Sequence, residues 1–472
     1  LYALKGFQKK QLLKLSKIFE LDTDFSVQKF SKKTLLKKNI TNEEILLLKK
    51  LKLSSIEVES RHSRHYPLGD QISPLIGFFG KDGAQEGLEK SYDNVLSGLP
   101  GRQKYFKNAK QELISQPIEL VKLKHGSDVH LTIDATIQFY AYKHLVEGIK
   151  SNKAKSGTVI ILDNKKGEVL AMASYPSYNP NHPKRKIQKN RALVDAYELG
   201  SVLKPIVLSK AIENKVIAPN KYIDIPRRLN LNDKIIVDSK AHEQLTPKEI
   251  ISVSSQIGAS KIALELGYKD LKDNYYDYGF TKPISINFPS SALGYINVKE
   301  NVSKKELASL GYGYGLTISP FQIASAYSVF ANEGIFKDFK LLQNSEVTSR
   351  KIISSDTAKH ILEALNMVIK DGTGKAAEIK GFSEGGKTGT VHRIKRGSGY
   401  AEDSYRASFV GITPLNNESL TIFVSIDEPD LNLYSGGAVA APVFAKIAES
   451  SLNYLGYFQD EWTRKNIKYK FS

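Results

Sequence analysis

The chain is 472 residues long, 41% hydrophobic and 25% charged, an ordinary globular balance with length for two or three domains at roughly 100–200 residues each. Its formal net charge of +18 favours an acidic polymer or an anionic membrane surface as partner; nucleic acid is set aside, because no DNA- or RNA-binding signature accompanies lysines spread along the chain. Cysteine is absent, which excludes disulfides, thiolate metal sites and cysteine nucleophiles.

The chain opens at Leu1 and has no run of about 18 apolar residues, so it reads as a fragment without a transmembrane helix or signal peptide, any anchor lying upstream. Residues 1 to about 60 are lysine-rich with a helical pattern. In "TNEEILLLKK", Thr41 and Glu44 form a capping box, and Lys49 and Lys50 suit a helix C-terminus. From "RHSRHYPLGD" to "LSGLPGRQKY" the texture turns to loops and short strands. "DVHLTIDATIQFYAYKHLVEGI" reads as an alternating strand followed by an amphipathic helix starting near Thr136. "GTVIILDNKKGEVLAMAS" reads as a β-hairpin around "DNKKG". Helical stretches run from "ELGSVLKPIV" through "SPFQIASAYSVFANEG"; "GGKTGTV", "ASFVGITP" and "LTIFVSID" are predicted strands, and "APVFAKIAESSLNYL" a closing helix. Strands at both ends with helices between predict an α+β fold, one antiparallel sheet covered by helices.

Three short pieces carry the chemistry. Ser201 and Lys204 stand three apart, after Gly200 and before Pro205, so they share one face of a helix whose first turn tolerates proline. In "SVSSQIGASKIALELG", Ser254 and Gln256 flank Ser255 where a helical pattern opens. In "GGKTGT", Lys387, Thr388, Gly389 and Thr390 fall on a predicted strand. Together they spell acyl transfer. Ser201 attacks a carbonyl, and Lys204 takes its proton if burial and a second ammonium, Lys387, hold it neutral. Ser254 relays the proton to a leaving amine, and Gln256 hydrogen-bonds Lys204 or a substrate amide. Thr388 and Thr390 offer hydroxyls to a carboxylate with Lys387 supplying charge, while Gly389 permits close approach of a substrate. Backbone N–H groups of Ser201 and Thr390 are the candidate oxyanion hole, worth about 2.7–4 kcal/mol per donor. Neither a metal nor a cofactor is called for.

Each piece alone has a plainer reading. Ser26 and Lys29 repeat the Ser-x-x-Lys spacing in a polar stretch, "SSQ" is a common helix cap, and "KTGT" a common turn or edge strand. "LGYGYG" (Leu310 to Gly315) reads as packing and turns beneath the site, and His392 as a surface histidine. Order and setting lift the three pieces together, and the same trio of patterns marks penicillin-recognising serine enzymes.

At these residues the chain resembles the class B penicillin-binding proteins, most closely the division-type (septal, penicillin-binding protein 3) members. The resemblance runs over about residues 60 to 450. "RHYPLGD", "IGFFGKDGAQEGLEKSYDNVLSG" and "DVHLTIDATIQ" look like that family's non-catalytic pedestal. "GEVLAMASYPSYNPN", "NRALVDAYELGSVLKP", "LGYGYGLTISPFQIASAYSVFANEG" and "GGAVAAPVF" look like its transpeptidase domain. It implies a penicillin-binding transpeptidase fold with an all-helical subregion. An N-terminal elongated pedestal would span 1–125, truncated at its start, and a catalytic domain 126–472. It implies a peptidoglycan D,D-transpeptidase acting on stem peptides that end in D-Ala-D-Ala and inhibited covalently by β-lactams. Ser201 would be nucleophile, Lys204 base and Ser254 relay, with Lys387, Thr388 and Thr390 on the carboxylate and oxyanion side. It further implies an N-terminal anchor in the bacterial cytoplasmic membrane, a catalytic domain on its outer side, and divisome membrane proteins including a glycosyltransferase as partners. Gln256 departs from the family's usual asparagine, adding a methylene to its reach. An elongation-type enzyme, a D,D-carboxypeptidase, a β-lactamase and a non-catalytic β-lactam sensor or division scaffold are the competing readings. Chain length and the intact Ser201, Lys204 and Lys387 set favour the transpeptidase.

Overall fold

The capping box at Thr41 is formed: Thr41 Oγ1 accepts from Glu44 N–H at 3.2 Å, and the Glu44 carboxylate accepts from Thr41 N–H at 2.8 Å. It opens α2 (Asn42–Leu51), which follows α1 (Lys9–Phe19) in the first of two units, Leu1–His65. That unit carries a small sheet ordered Thr34–Leu35, Tyr2–Ala3, Ile56–Glu57 over a core that includes Phe7, Leu15, Phe19 and Leu48. The computed structural model describes residues 1–457 apart from 5–6, 8, 20–32, 39, 54, 60–62, 81, 110–113, 183–188, 232–233, 299–300, 396–398 and 416–417. Ser26 and Lys29 lie outside the described residues.

The second unit begins at Tyr66. Its first part holds short helices such as Ser73–Ile76 and Gly87–Ser91 and a two-stranded ribbon, Arg102–Lys104 with Ile118–Val121. The strand expected over "DVHLTID" reduces to a single bridge, Leu131 with Leu342. Asp134 accounts for the difference: its carboxylate accepts from Thr136 N–H and Ile137 N–H (2.8 and 2.9 Å), turning the chain into α3 (Ala135–Ser151).

The hairpin forms as expected, β1 (Ser156–Asp163) and β2 (Glu168–Tyr175), with Gly167 at φ +68° in its turn. After it come α4 (Lys204–Glu213), α5 (Pro247–Ser252), α6 (Gln256–Asp277, kinked at Gly267), α7 (Pro320–Ala331) and α8 (Ser355–Lys370). Strands β3 (Gly385–Lys395), β4 (Gly399–Thr413) and β5 (Leu420–Asp427) and helix α9 (Gly436–Tyr454) close the unit. The sheet is antiparallel throughout, ordered β3-β4-β5-β1-β2, which leaves β3 at an edge.

Period-two alternation divides the core. Val159, Ile161, Ile422, Val424 and Phe409 point to the face covered by α3 and α9, whereas Ile160, Leu162, Phe423 and Val410 join the larger helical core. Both faces are covered, which is why β1 and β5 read as continuous apolar runs. The α+β expectation, an antiparallel sheet with a helical subregion, describes this unit.

Helix α7 is apolar almost all round and buried along nearly its whole length. Its fully buried Tyr327 donates its hydroxyl to Val202 O at 2.6 Å, tying the helix to the turn that carries Ser201. Tyr327→Phe keeps the ring and deletes this bond, so unfolding free energy is expected to fall by about 1 kcal/mol in a denaturant titration.

Candidate active site

Ser201 lies in a 3₁₀ turn, Gly200–Leu203, rather than in the first α-turn; α4 starts at Lys204, whose backbone N–H donates to Ser201 O. Side chains at i and i+3 eclipse in a 3₁₀ turn, so the tighter winding stacks Ser201 over Lys204 more directly than an α-helix does. Pro205 sits at the start of α4, where its missing N–H leaves no orphan donor. Gly200 is left-handed at φ +57°, and a Cβ there would lie 2.7 Å from Val391 Cγ1. Behind it, Gly200 N–H donates to Gly313 O at 3.2 Å, and a Cβ on Gly313 would fall 2.0 Å from Gly200 O. The "LGYGYG" segment therefore packs against the turn, as the plainer reading had it.

Lys204 and Lys387, both fully buried, converge on one hydroxyl. Ser254 Oγ is 3.1 Å from Lys204 Nζ and 3.0 Å from Lys387 Nζ. Lys204 Nζ also donates to Ser254 O, and Lys387 Nζ to Thr388 O at 3.2 Å. The two amines thus lie at most about 6 Å apart, within the range where like charges repel a proton. Burial, then repulsion from Lys387, holds the Lys204 amine well below the usual lysine range, against an opposing pull from Asp238. Burial brings Lys387 down to about 7. Ser201 Oγ makes no hydrogen bond among the described residues.

Ser254 reaches this position by a strained route. It stands outside α6 at φ +62°, a left-handed conformation that costs a non-glycine residue about 1–3 kcal/mol and persists where surrounding structure over-determines it. The over-determination comes from Asp238. Its Oδ1 accepts from Gln256 N–H (2.6 Å) and Ile257 N–H (3.1 Å), and its Oδ2 from the Ser255 hydroxyl (2.5 Å). Ser255 in turn caps α6 by accepting from Gly258 N–H at 2.9 Å. Gln256 is the first residue of α6 and its side chain is exposed; its hydrogen bond to Asp238 comes from its backbone, and none joins it to Lys204.

The edge strand β3 brings in the third piece. Along it, Lys387, Gly389 and Val391 alternate onto the face that meets the nucleophile turn. A Cβ at Gly389 would lie 2.7 Å from both Leu199 O and Val202 Cγ2, so this glycine admits the turn itself. Thr390 Oγ1 accepts from Gly436 N–H at 3.0 Å, leaving its proton to donate; Thr388 Oγ1 is 2.9 Å from Thr373 Oγ1.

The structure brings Ser254, Lys204 and Lys387 into hydrogen-bonded contact and seats the Ser201 turn against Gly389 and Val391. His392, read as a surface residue, is half-buried, its Nδ1 2.9 Å from Ala401 O and its ring 4.5 Å from that of Tyr405. Sequence reading missed Asp238, Tyr327 and Glu198. Glu198, nearly buried, accepts from Gly315 N–H (2.7 Å) and from the Tyr400 hydroxyl (2.8 Å), joining the segment before Ser201 to two loops. None has a local signal, since each acts across 17 to 202 positions of chain.

The penicillin-binding protein transpeptidase domain family matches residues 157–449, and the penicillin-binding protein dimerisation domain family matches residues 4–131. A probable peptidoglycan D,D-transpeptidase, PbpC of Pseudomonas aeruginosa, is 34% identical over 86% of this chain and 73% of its own length. The peptidoglycan D,D-transpeptidase FtsI of Escherichia coli is 31% identical over 88% of this chain and 71% of its own. Among solved structures, penicillin-binding protein 3 of Mycobacterium tuberculosis complexed with aztreonam superposes with a TM-score of 0.74 at 26% identity, covering 84% of this chain and 91% of that one. The apo transpeptidase domain of Burkholderia pseudomallei penicillin-binding protein 3 gives 0.65 at 32% identity, covering 70% and 98%.

Two outcomes are expected. Asp238→Ala, which strips three hydrogen bonds from the Ser254–Ile257 segment, lowers unfolding free energy by about 1–2 kcal/mol, and Asp238→Asn recovers part of it, read by thermal melts. Lys387 binds its proton near pH 7 folded and near pH 10.4 unfolded, so wild-type stability rises with pH across that window. Lys387→Met removes the share due to Lys387; its melting temperature relative to wild type is therefore higher at pH 6.5 than at pH 9.5.

Proposed function

Because this chain belongs to the penicillin-binding protein transpeptidase family, we propose that it is a serine-type peptidoglycan D,D-transpeptidase with Ser201 as nucleophile and Lys204 as base. The observation that carries the assignment is the pair of fully buried lysines meeting on Ser254 Oγ beside the 3₁₀ turn of Ser201. A neutral Lys204 has two N–H donors and one lone pair. Ser254 O and Oγ take the donors, which leaves the lone pair for the Ser201 hydroxyl. Ser201 Oγ attacks the penultimate D-Ala carbonyl; its proton passes to Lys204 and through Ser254 to the departing D-Ala amine. An acceptor amine then attacks the ester, the C–N bond forms, the C–Oγ bond breaks, and Ser201 regains its proton by the reverse relay.

Lys387 keeps Lys204 neutral by charge and, with the Thr388 hydroxyl and the remaining proton of Thr390, receives the substrate carboxylate. The N–H groups of Ser201 and Thr390 form the oxyanion hole. Gly389 holds the strand against the turn, and Gln256, exposed at the start of α6, faces substrate rather than Lys204. No metal or cofactor enters this reading. β-Lactams inhibit by acylating Ser201, in line with the aztreonam complex of the mycobacterial neighbour.

The reading places the enzyme on the outer side of the cytoplasmic membrane, where its substrate is, working in septal synthesis with divisome proteins including a glycosyltransferase; FtsI-named relatives support the division role. No helix among the described residues is long and apolar enough to cross a membrane. Residues 1–125 serve as the non-catalytic part and 126–472 as the catalytic part; the dimerisation-domain match runs a few residues past that boundary, to 131, and the transpeptidase match begins at 157.

Benzylpenicillin in excess is expected to add one molecule per chain by intact mass, persisting for hours, with none on Ser201→Ala, whose melting temperature stays near wild type. Labelling of Ser201→Ala overturns the nucleophile assignment, and a transient adduct with drug consumption makes the protein a β-lactamase. Gln256→Asn is expected to acylate at least as fast as wild type, because the side chain makes no contact with Lys204; a collapse in rate assigns Gln256 a direct part in acylation.

A further inference from the structure

Just past Thr390 the β3–β4 register slips between His392 and Ile394. Between those pairs β3 has one residue and β4 has four (401–404), so the extra residues of the irregularity lie on β4, and such irregularities gather beside active sites. The residue left without a ladder partner on β3 is Arg393. It opens onto a cavity of about 510 Å³ that Glu198, Val391 and Arg191 also line. Val391 follows Thr390 directly and Glu198 precedes Ser201 by three positions, so the cavity adjoins both elements of the proposed reaction centre.

The charges around it do not balance. Arg191 and Lys189 share one carboxylate, Asp195, which stands 3.3 Å from Arg191. Arg393 and Lys155 share another, Glu428. Arg406 beneath is matched one to one by the buried Asp427, at 2.5 and 3.3 Å, and stacks 3.2 Å over the Tyr197 ring. The carboxylate of Glu198 is taken up by Gly315 N–H and Tyr400 rather than by a cation. Four carboxylates thus face five cations; Arg393, Arg191 and Lys189 line the opening itself, while Lys155 and Glu428 lie outside it. Burial holds the Arg393 guanidinium below its ordinary range; attraction to Asp427 and Asp195 opposes the shift, and repulsion from Arg406 and Arg191 adds to it. An anion between Arg393 and Arg191 relieves that repulsion, and a guanidinium fork suits a carboxylate.

We propose that Arg393 and Arg191 form a carboxylate subsite for the acceptor strand, selecting an amine whose own carbon bears a carboxylate. The inference rests on the transpeptidase reading and names its second substrate. Held by its carboxylate, the acceptor presents its amine to the Ser201 ester. The C–N bond forms, the C–Oγ bond breaks, and one amine proton returns to Ser201 Oγ through Lys204 and Ser254.

The test uses the purified protein with a D-alanyl thioester donor and two acceptors, D-alanine and D-alaninamide, at equal free-amine concentration, products being counted by mass spectrometry. Wild type is expected to favour D-alanine by about tenfold or more, the size of a charge-assisted contact. Arg393→Gln and Arg191→Gln each erase most of that preference, while Arg393→Lys retains more than Arg393→Gln. Because a ratio is read, partial loss of folded protein does not move it. Aminolysis with no wild-type preference, or a preference unchanged in both Gln variants, overturns the subsite alone. Absence of any acyl-enzyme from thioester or penicillin overturns the transpeptidase reading and the subsite with it.

Discussion

Two amines that cannot both stay protonated meet on one hydroxyl, and the rest of the second unit is arranged to keep them there. Lys204 and Lys387 are fully buried and each within about 3 Å of Ser254 Oγ, with no carboxylate touching either Nζ among the described residues. A charged pair in such a place costs several kcal/mol in desolvation alone. The fold avoids the cost by releasing protons: burial brings Lys387 down to about 7, and burial with repulsion from Lys387 brings Lys204 well below the usual lysine range. A stability liability thereby becomes an activated base.

Holding that arrangement takes contributions from distant chain. Asp238 locks the segment carrying Ser254 into a left-handed turn; Tyr327 of α7 holds Val202 O; Gly313 and Gly389 allow backbones to close on the Ser201 turn at distances that forbid a Cβ. The edge position of β3 serves the same end. Its one paired side fixes Lys387 opposite Val410 in the sheet, while the face carrying Gly389 meets the nucleophile turn and, farther on, Arg393 loses its ladder partner. Rigid core and reactive edge are one strand.

What the sequence showed follows from what is local. The hairpin at Asp163 to Gly167, the capping box at Thr41, the order of the strands and the three reactive tetrads are set by short-range periodicity or by residues a few positions apart. Ser201 and Lys204 were legible as a pair, though not as a 3₁₀ turn, because i,i+3 spacing serves both helix types. The strand expected before α3 was lost to Asp134, whose capping bonds outweigh the alternation of "HLTID". Asp238, Glu198 and Tyr327 were invisible, since a lone acid in a polar loop or a tyrosine in an apolar helix says nothing of a partner far along the chain. The charge surplus around Arg393 belongs to tertiary pairing alone.

The measurement that bears most directly on this picture is the pH dependence of benzylpenicillin acylation. With Lys204 held neutral by burial and by Lys387, the second-order rate constant is expected to level off well before the ordinary lysine range near pH 10.4. A rate that climbs about tenfold per pH unit all the way into that range would mean that Lys204 keeps its proton in the folded protein, and that the paired lysines are not how this site activates its serine.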